Sequence, residues 1–376
     1  MNIVVVSDNY PSDRIPNKGA FVYNLIQALS HHHKITVIAP YKVNELMRSR
    51  TGKGYGKENC VVYRPVYPSF SNKNVLGFNT KIISRYFAHR ATYRALKNLP
   101  QKPDLIYAHF LSNALSCLRY VAEYNVPLVV ASGEAFYAGL ILRKSDSLDA
   151  LNNLTRHFIC VSDSNRKALV EMGLDENKMS IVPNAVDTSL FKPLPKDECR
   201  EKLGIPKDKF VVGFVGYFIH RKGPNRIIEA IKQLSDKDVR LVCIGGTEEL
   251  DPNDFTTTVP PIPNYHLAEY YNAFDIFVLP TLSEGHCNAI EEAKACGLPV
   301  VSSLGTSVEA QLNDSIGILV DPLNINEIAS AIGKLKAEPA LRASMRENLL
   351  ANQGAYSLEK RAAVISALLT EVVNNR

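Results

Sequence analysis

Residues 276–299 read Ile-Phe-Val-Leu-Pro-Thr-Leu-Ser-Glu-Gly-His-Cys-Asn-Ala-Ile-Glu-Glu-Ala-Lys-Ala-Cys-Gly-Leu-Pro. Ile276 to Leu279 form an uninterrupted apolar run, the pattern of a strand buried on both faces of a parallel sheet. Pro280 ends it. A short polar loop follows, a helix is predicted from Asn288 to Cys296, and Pro299 opens the next strand. At such a helix start the backbone N–H groups of Gly285, His286, Cys287 and Asn288 have no intrahelical partner, and the helix dipole favours an anion. They are candidate phosphate donors. Glu284 on the loop and Glu292 one turn into the helix flank the same place, and carboxylates accept paired hydrogen bonds from vicinal sugar hydroxyls. Phosphate donors between two carboxylates suit a nucleotide sugar; a capped helix with solvated glutamates is the structural alternative.

The same alternation recurs on both sides. Asn2–Ser7 is an apolar run, and Gly19–Leu29 carries Phe21, Val22, Leu25, Ile26 and Leu29 at helical spacing. Strands follow at Ile35–Ala39, Leu105–Ala108, Pro127–Ala131 and Phe158–Val161. Beyond a proline-rich join (Pro183, Pro193, Pro195) the pattern starts afresh with Phe210–Gly216, Val239–Ile244, Asp275–Leu279, Pro299–Ser302 and Ile316–Val320. Strands alternating with helices make a parallel sheet with helices on both faces. The fold class is therefore α/β, with two doubly wound domains at 1–188 and 189–357. The last helix, 358–376, is expected to pack back on the first domain. Ligands belong at the carboxyl ends of the strands, in a cleft between the domains. Residues 44–80 fit no element and are expected to form a mobile basic loop.

With 376 residues, 46% apolar and 22% charged, the composition is that of a globular protein and excludes fibrous and disordered classes. No apolar run approaches the ~18 residues of a membrane span, and the first residues read as a strand rather than a leader. Seven scattered cysteines, odd in number and without a C-x-x-C pair, argue against a disulfide framework or a structural zinc site. A cytoplasmic location is the expectation. Residues 1–100 carry fifteen Lys and Arg against four Asp and Glu, a net of +11, while the remainder is net −6. The basic part either faces something anionic, such as a membrane surface or a phosphate-bearing acceptor, or is a solvated face. No nucleic-acid-binding motif accompanies it, so nucleic acid is not an expected partner.

Glu284 and Glu292 stand in the frame Ser-Glu-Gly-x-x-Asn-Ala-Ile-x-Glu-Ala-x-Ala-Cys-Gly-Leu-Pro-Val, residues 283–300. This resembles the E-x7-E signature of family 4 retaining glycosyltransferases, which have the GT-B fold of two facing Rossmann-like domains. Pro103–His109, Val161-Ser162, Val182–Asp187 and Phe214–Gly216 with Lys222-Gly223 stand in the family's order. The resemblance implies that Glu284 contacts the donor sugar, that Glu292 holds the ribose and that Lys222 neutralises the diphosphate as it leaves. It implies that Gly19 lies where the backbone approaches phosphate or acceptor, and that the backbone at Ile262 meets the base. It implies no metal.

The chain departs from the family at three places. Tyr217 stands where an arginine is usual, and Arg221 is the nearby substitute. The turn Ala131-Ser132-Gly133-Glu134 lacks the family's histidine; Glu134 hydrogen-bonds the donor sugar, takes the acceptor proton or caps a helix. The segment between Gly246 and Pro263 is short and lacks a helix. His109, ending a strand, is a substrate contact or a core histidine, and His286 is a candidate donor contact.

The expected activity is metal-independent retaining hexosyl transfer from a nucleotide sugar, UDP- or GDP-linked, to a saccharide or lipid-linked acceptor. The expected setting is polysaccharide, lipopolysaccharide or glycolipid biosynthesis, with the protein peripheral on the inner face of the cytoplasmic membrane. The alternatives are a non-catalytic nucleotide-sugar-binding partner of a glycosyltransferase complex, or another GT-B activity such as a glycosyl phosphorylase or nucleotide-sugar epimerase.

Overall fold

The computed structural model describes residues 1–12, 15, 18–46, 60–70, 74–75, 78–133 and 145–375. Glu134 and much of 44–80 lie outside the described residues. The chain divides into two units, Met1–Pro183 with Glu359–Arg376, and Asn184–Leu358.

The first unit is built on seven parallel strands: β1 (Asn2–Val6), β2 (Lys34–Ile38), β3 (Val61–Tyr63), β4 (Leu105–His109), β5 (Leu128–Ser132), β6 (Thr155–Cys160) and β7 (Met179–Ile181). Their order is β7-β6-β5-β4-β1-β2-β3. Its longer helices are α1 (Ala20–Ser30), α2 (Thr80–Lys97), α3 (Leu111–Tyr124), α4 (Ser145–Leu154) and α5 (Asp163–Glu171). β1 and β4 are central and covered on both sides, which is why their sequences are apolar runs rather than alternations. On one face Val4, Val6, Ile106, Ala108, Leu128 and Val130 pack with Leu111, Ala114, Cys117 and Val121 of α3. Each buried Val, Leu or Ile among them contributes roughly 1.5–3 kcal/mol. Alternate residues Ile3, Val5, Tyr107 and His109 turn to the other face, where Phe21 of α1 brings its ring centroid 5.7 Å from that of His109.

One expectation needs correction here. Residues 44–80 are not simply a loop, because Val61–Tyr63 pairs with β2 as the edge strand of the sheet. An edge strand of three residues with Val61 and Tyr63 exposed leaves no apolar period to detect.

The second unit has six parallel strands: β8 (Phe210–Gly216), β9 (Val239–Gly245), β10 (Thr256–Val259), β11 (Ile276–Leu279), β12 (Val300–Ser303) and β13 (Gly317–Val320). Their order is β10-β9-β8-β11-β12-β13. Its helices are α6 (Lys196–Leu203), α7 (Pro224–Leu234), α8 (Leu267–Ala273), α9 (Asn288–Ala295), α10 (Ile325–Ala337) and α11 (Pro339–Ala351). α7 opens with Pro224 at its first position and buries Ile227, Ile228 and Ile231 on one face. The proline-rich join belongs to this unit. Val186 and Phe191 sit in its core, and the Leu194 N–H donates to Asn272 Oδ1 at 2.8 Å. The division therefore falls at Pro183/Asn184, ahead of the 188/189 join read from the proline pattern. A final helix, α12 (Leu358–Asn374), runs through the first unit, with Ile365 and Leu369 fully buried and Ser366 Oγ 2.7 Å from His33 Nε2.

Both sheets share one plan. The chain steps outward from the first strand of the unit, returns, and continues on its other side. The switch points are β1/β4 and β8/β11, and in open α/β sheets ligands bind at the carboxyl ends of those strands.

Candidate functional site

The loops leaving β8 and β11 meet at the second switch point. They are tied together by Leu282 N–H donating to Arg221 O at 2.8 Å, and by Arg226, which donates to Pro280 O at 2.6 Å and to His220 O at 2.9 Å. Gly223 caps α7 with φ +78°. A Cβ there would lie 2.3 Å from the Arg226 guanidinium and 2.7 Å from Pro280 O, so only glycine lets the loops close.

This closure brings three of the sequence-assigned residues together. Glu284 Oε1 accepts from Lys222 Nζ at 2.6 Å, from the Arg221 guanidinium at 2.7 Å and from Thr281 Oγ1 at 2.9 Å. The Arg221 guanidinium also bonds Ser283 O, and Ser307 Oγ bonds Glu284 O. Lys222 and Glu284 are only 12% and 11% exposed, so their attraction is far less screened than that of a surface pair. One carboxylate shared by two cations leaves a net positive charge at the helix start. Tyr217, where the family has arginine, is 62% exposed, whereas Arg221 reaches the carboxylate directly.

The start of α9 is braced from beneath. Gln311 accepts from the Cys287 N–H at 2.8 Å and donates to Cys287 O at 3.0 Å and to Glu291 Oε1 at 2.7 Å. Glu291 is buried, and burial raises its pKa against the opposing Lys294, whose Nζ lies 3.0 Å away. His286 Nε2 is 3.7 Å from the same carboxylate. Asn184 Nδ2 donates to Asn288 Oδ1 at 3.0 Å and to His286 O at 3.4 Å. The Cys287 N–H, assigned from the helix start to a phosphate, is thus already given to Gln311. The Cys287 thiol is pushed up to about 11 by burial and is inert as a nucleophile. Gly285 is buried in the loop beside Glu284.

Glu292 has its own partners. Oε1 accepts from Asn264 Nδ2 at 2.9 Å and Oε2 from the Tyr271 hydroxyl at 2.8 Å. Burial raises its pKa to about 7, against the pull of those two hydrogen bonds. Asn264 lies two residues beyond Ile262, so the loop assigned to the base is fastened to the carboxylate assigned to the ribose. Asn264, Tyr271, Gln311 and Glu291 escaped the sequence reading. They are distant along the chain, or, for Glu291, masked by the neighbouring Glu292.

In the first unit Gly19 caps α1 with φ +69°, and a Cβ there would fall 2.0 Å from Asn9 O. His109 is buried at the end of β4, its pKa lowered to about 3 by burial and then by Arg361. It is followed by Phe110 at φ +79°, a strained conformation for a bulky residue. Asn113 donates to His109 O at 2.7 Å and to Asp8 Oδ1 at 3.0 Å, joining the ends of β1 and β4. Ser132 Oγ accepts from Asn165 at 3.4 Å, and the turn beyond Gly133, with Glu134, lies outside the described residues. Among the described residues no group of three His, Cys, Asp or Glu is placed to hold a metal ion.

Two family descriptions match successive parts of the sequence: Glycosyltransferase Family 4 over residues 19–190, and Glycosyl transferases group 1 over 195–350. The chain belongs to the family 4 glycosyltransferases. A D-inositol 3-phosphate glycosyltransferase of Xylanimonas cellulosilytica is 29% identical over 225 residues, 54% of each chain. The chain spans about half to two thirds of the length of such relatives. TuaC of Bacillus subtilis, a glycosyltransferase named for teichuronic acid biosynthesis, is 25% identical over 373 residues, 93% of this chain and 92% of that one. Among solved structures, HepE of Anabaena in complex with UDP and glucose superposes with a TM-score of 0.76 at 16% identity, over 98% of this chain and 99% of that one. That likeness establishes the fold, GT-B with two Rossmann-like units.

Proposed function

We propose that this family 4 enzyme is a retaining glycosyltransferase whose second unit binds the nucleotide-sugar donor and whose first unit takes a saccharide or lipid-linked acceptor. The observation that carries this reading is Glu284 held by Lys222 and Arg221 at the β8/β11 switch point. A diphosphate entering there takes the two cations from the carboxylate, freeing Glu284 to accept from sugar hydroxyls. As the glycosidic bond breaks, the same cations and the start of α9 meet the charge growing on the leaving diphosphate. That is charge neutralisation without a metal. Glu292 accepts from ribose hydroxyls, its geometry held by Asn264 and Tyr271.

UDP leads the donor candidates, because the HepE structure holds UDP and glucose. The TuaC name favours an acceptor in cell-surface polysaccharide assembly. A thermal-shift panel of UDP, GDP, ADP and CMP in EDTA, on wild type and Glu292→Ala, tests the donor site. Stabilisation of wild type by one nucleotide, lost in the variant, is the expected result; no shift with any of them overturns the reading. Turnover of a UDP-sugar with the α or β configuration retained, read by NMR, tests the chemistry. Binding without turnover against any acceptor favours the non-catalytic partner.

The edge of the first unit supports an acceptor held at a membrane. Ile82 and Tyr86 of α2, Val61 of β3 and Phe70 are between 50% and 62% exposed, and α2 also carries Arg85, Arg90, Arg94 and Lys97 along its length. Exposed apolar side chains and a basic helix in one unit suit an anionic bilayer surface. None of the described helices is long and apolar enough to cross a membrane. Sedimentation with anionic but not neutral liposomes, weakened by salt, is the expected outcome; no retention at low salt removes the membrane from the proposal.

A further inference from the structure

The carboxyl end of β4 in the first unit holds a set of buried polar groups that the donor site does not use. Tyr107 and His109 lie two residues apart on the same face of the strand, ring centroids 6.1 Å apart, turned away from α3. Arg361 of α12 is 5% exposed and close enough to perturb both electrostatically. Among the described residues no carboxylate stands beside its guanidinium. The Tyr107 hydroxyl, His109 Nδ1 and Arg361 Nε are all buried without a hydrogen-bond partner.

Burial leaves all three able to donate at neutral pH. The phenol of Tyr107 is pushed up to about 12 and stays protonated, and His109 is held neutral, so Nδ1 carries a proton in one tautomer. A guanidinium has donors only. Buried polar groups are nearly always paired, and an uncompensated buried charge is costly. A buried guanidinium with no carboxylate beside it, next to a phenol and an imidazole that also lack partners, is completed by a ligand that brings acceptor oxygens and negative charge. The position fits a ligand: the first unit's switch point, next to α1, whose first turn carries no acidic side chain.

We propose that Arg361, Tyr107 and His109 form a binding site for an oxyanion, a phosphate or carboxylate group. Resting on the assignment of the acceptor to the first unit, the oxyanion is a group carried by the acceptor, so the enzyme prefers an acidic or phosphorylated saccharide. Free inorganic phosphate has the same chemistry and is the probe.

Inorganic phosphate is titrated against the full chain by thermal shift, with wild type, Arg361→Met and Tyr107→Phe, and with UDP as the control for the second unit. Phosphate at about a hundredfold excess over its Kd is expected to raise the wild-type midpoint by roughly 5 °C. Arg361→Met is expected to show no rise while keeping its UDP response and a midpoint no lower than wild type, since it removes an unpaired buried charge. Tyr107→Phe weakens phosphate severalfold. No phosphate effect on wild type overturns the proposal, because the chain itself or water then satisfies Arg361. An equal effect on wild type and Arg361→Met overturns it too, since the anion then binds elsewhere.

Transfer assays on matched acceptors, with and without a phosphate or carboxylate, separate the two sources. Preference for the charged acceptor, lost in Arg361→Met, identifies the acceptor's own group. Activation of transfer to the neutral acceptor by free phosphate identifies the free ion and overturns the acceptor assignment. A phosphate response without any UDP response keeps this site and removes the donor reading instead.

Discussion

The two units use one backbone device and opposite electrostatics. In each, the first strand of the switch point feeds a helix capped by a left-handed glycine, Gly19 at φ +69° and Gly223 at φ +78°, where a side chain would strike the adjoining loop. Beyond that they diverge. At β8/β11 the charges are already paired, Glu284 with Lys222 and Arg221, and the backbone of α9 is braced by Gln311. At β1/β4 the Arg361 guanidinium has no carboxylate beside it, and its Nε, the Tyr107 hydroxyl and His109 Nδ1 are buried without a hydrogen-bond partner. A site that must release a charged product benefits from an internal carboxylate that takes back its cations. A site that only receives a ligand can leave that acceptor to the ligand.

The contrast is testable, and the largest effect belongs to the paired side. Lys222→Ala should lower kcat by 10²–10³-fold, the loss of ~3–4 kcal/mol of transition-state stabilisation, with the nucleotide still bound. A change in KM alone would place Lys222 outside the chemistry. The shared device comes next. Gly19→Ala and Gly223→Ala should each cost about 2–4 kcal/mol in urea melts, with Gly19 the worse, since its Cβ meets fixed backbone at 2.0 Å and that of Gly223 first meets a side chain at 2.3 Å. Equal tolerance of both would sink the parallel.

Glu292 gives a pH signature. Its folded pKa of about 7 exceeds the unfolded value of 4.5, so the native state binds the extra proton between those values and stability falls as pH rises from 4.5 through 7. Glu292→Gln should flatten that slope and stabilise the protein above pH 7 by up to ~3 kcal/mol. It should weaken nucleotide binding at pH 8 more than at pH 6, where the native carboxyl is already largely protonated. The smallest effect is structural. Gln311→Ala strips partners from Cys287 and Glu291 and should cost roughly 2 kcal/mol, with little change in phosphate binding at β4.

Much of this was legible along the chain, and the reason is local physics. Runs such as Asn2–Val6 and Ile276–Leu279 lack polar interruptions because both faces of a central parallel strand are buried, so both units and their order could be read directly. Glu284 and Glu292 stood out as candidates because they flank a helix start that follows a strand, whereas Lys222 was marked only by the resemblance to the family. The edge strands Val61–Tyr63 and Thr256–Val259 were not, since a half-exposed edge imposes no apolar period. Partners from distant elements were hidden as well: Gln311 against Cys287, Tyr271 and Asn264 against Glu292, Arg361 beside His109. Spacing along a chain encodes what one strand or helix repeats. Which buried donor finds an acceptor, and which is left without one, is decided only when separate elements pack against one another.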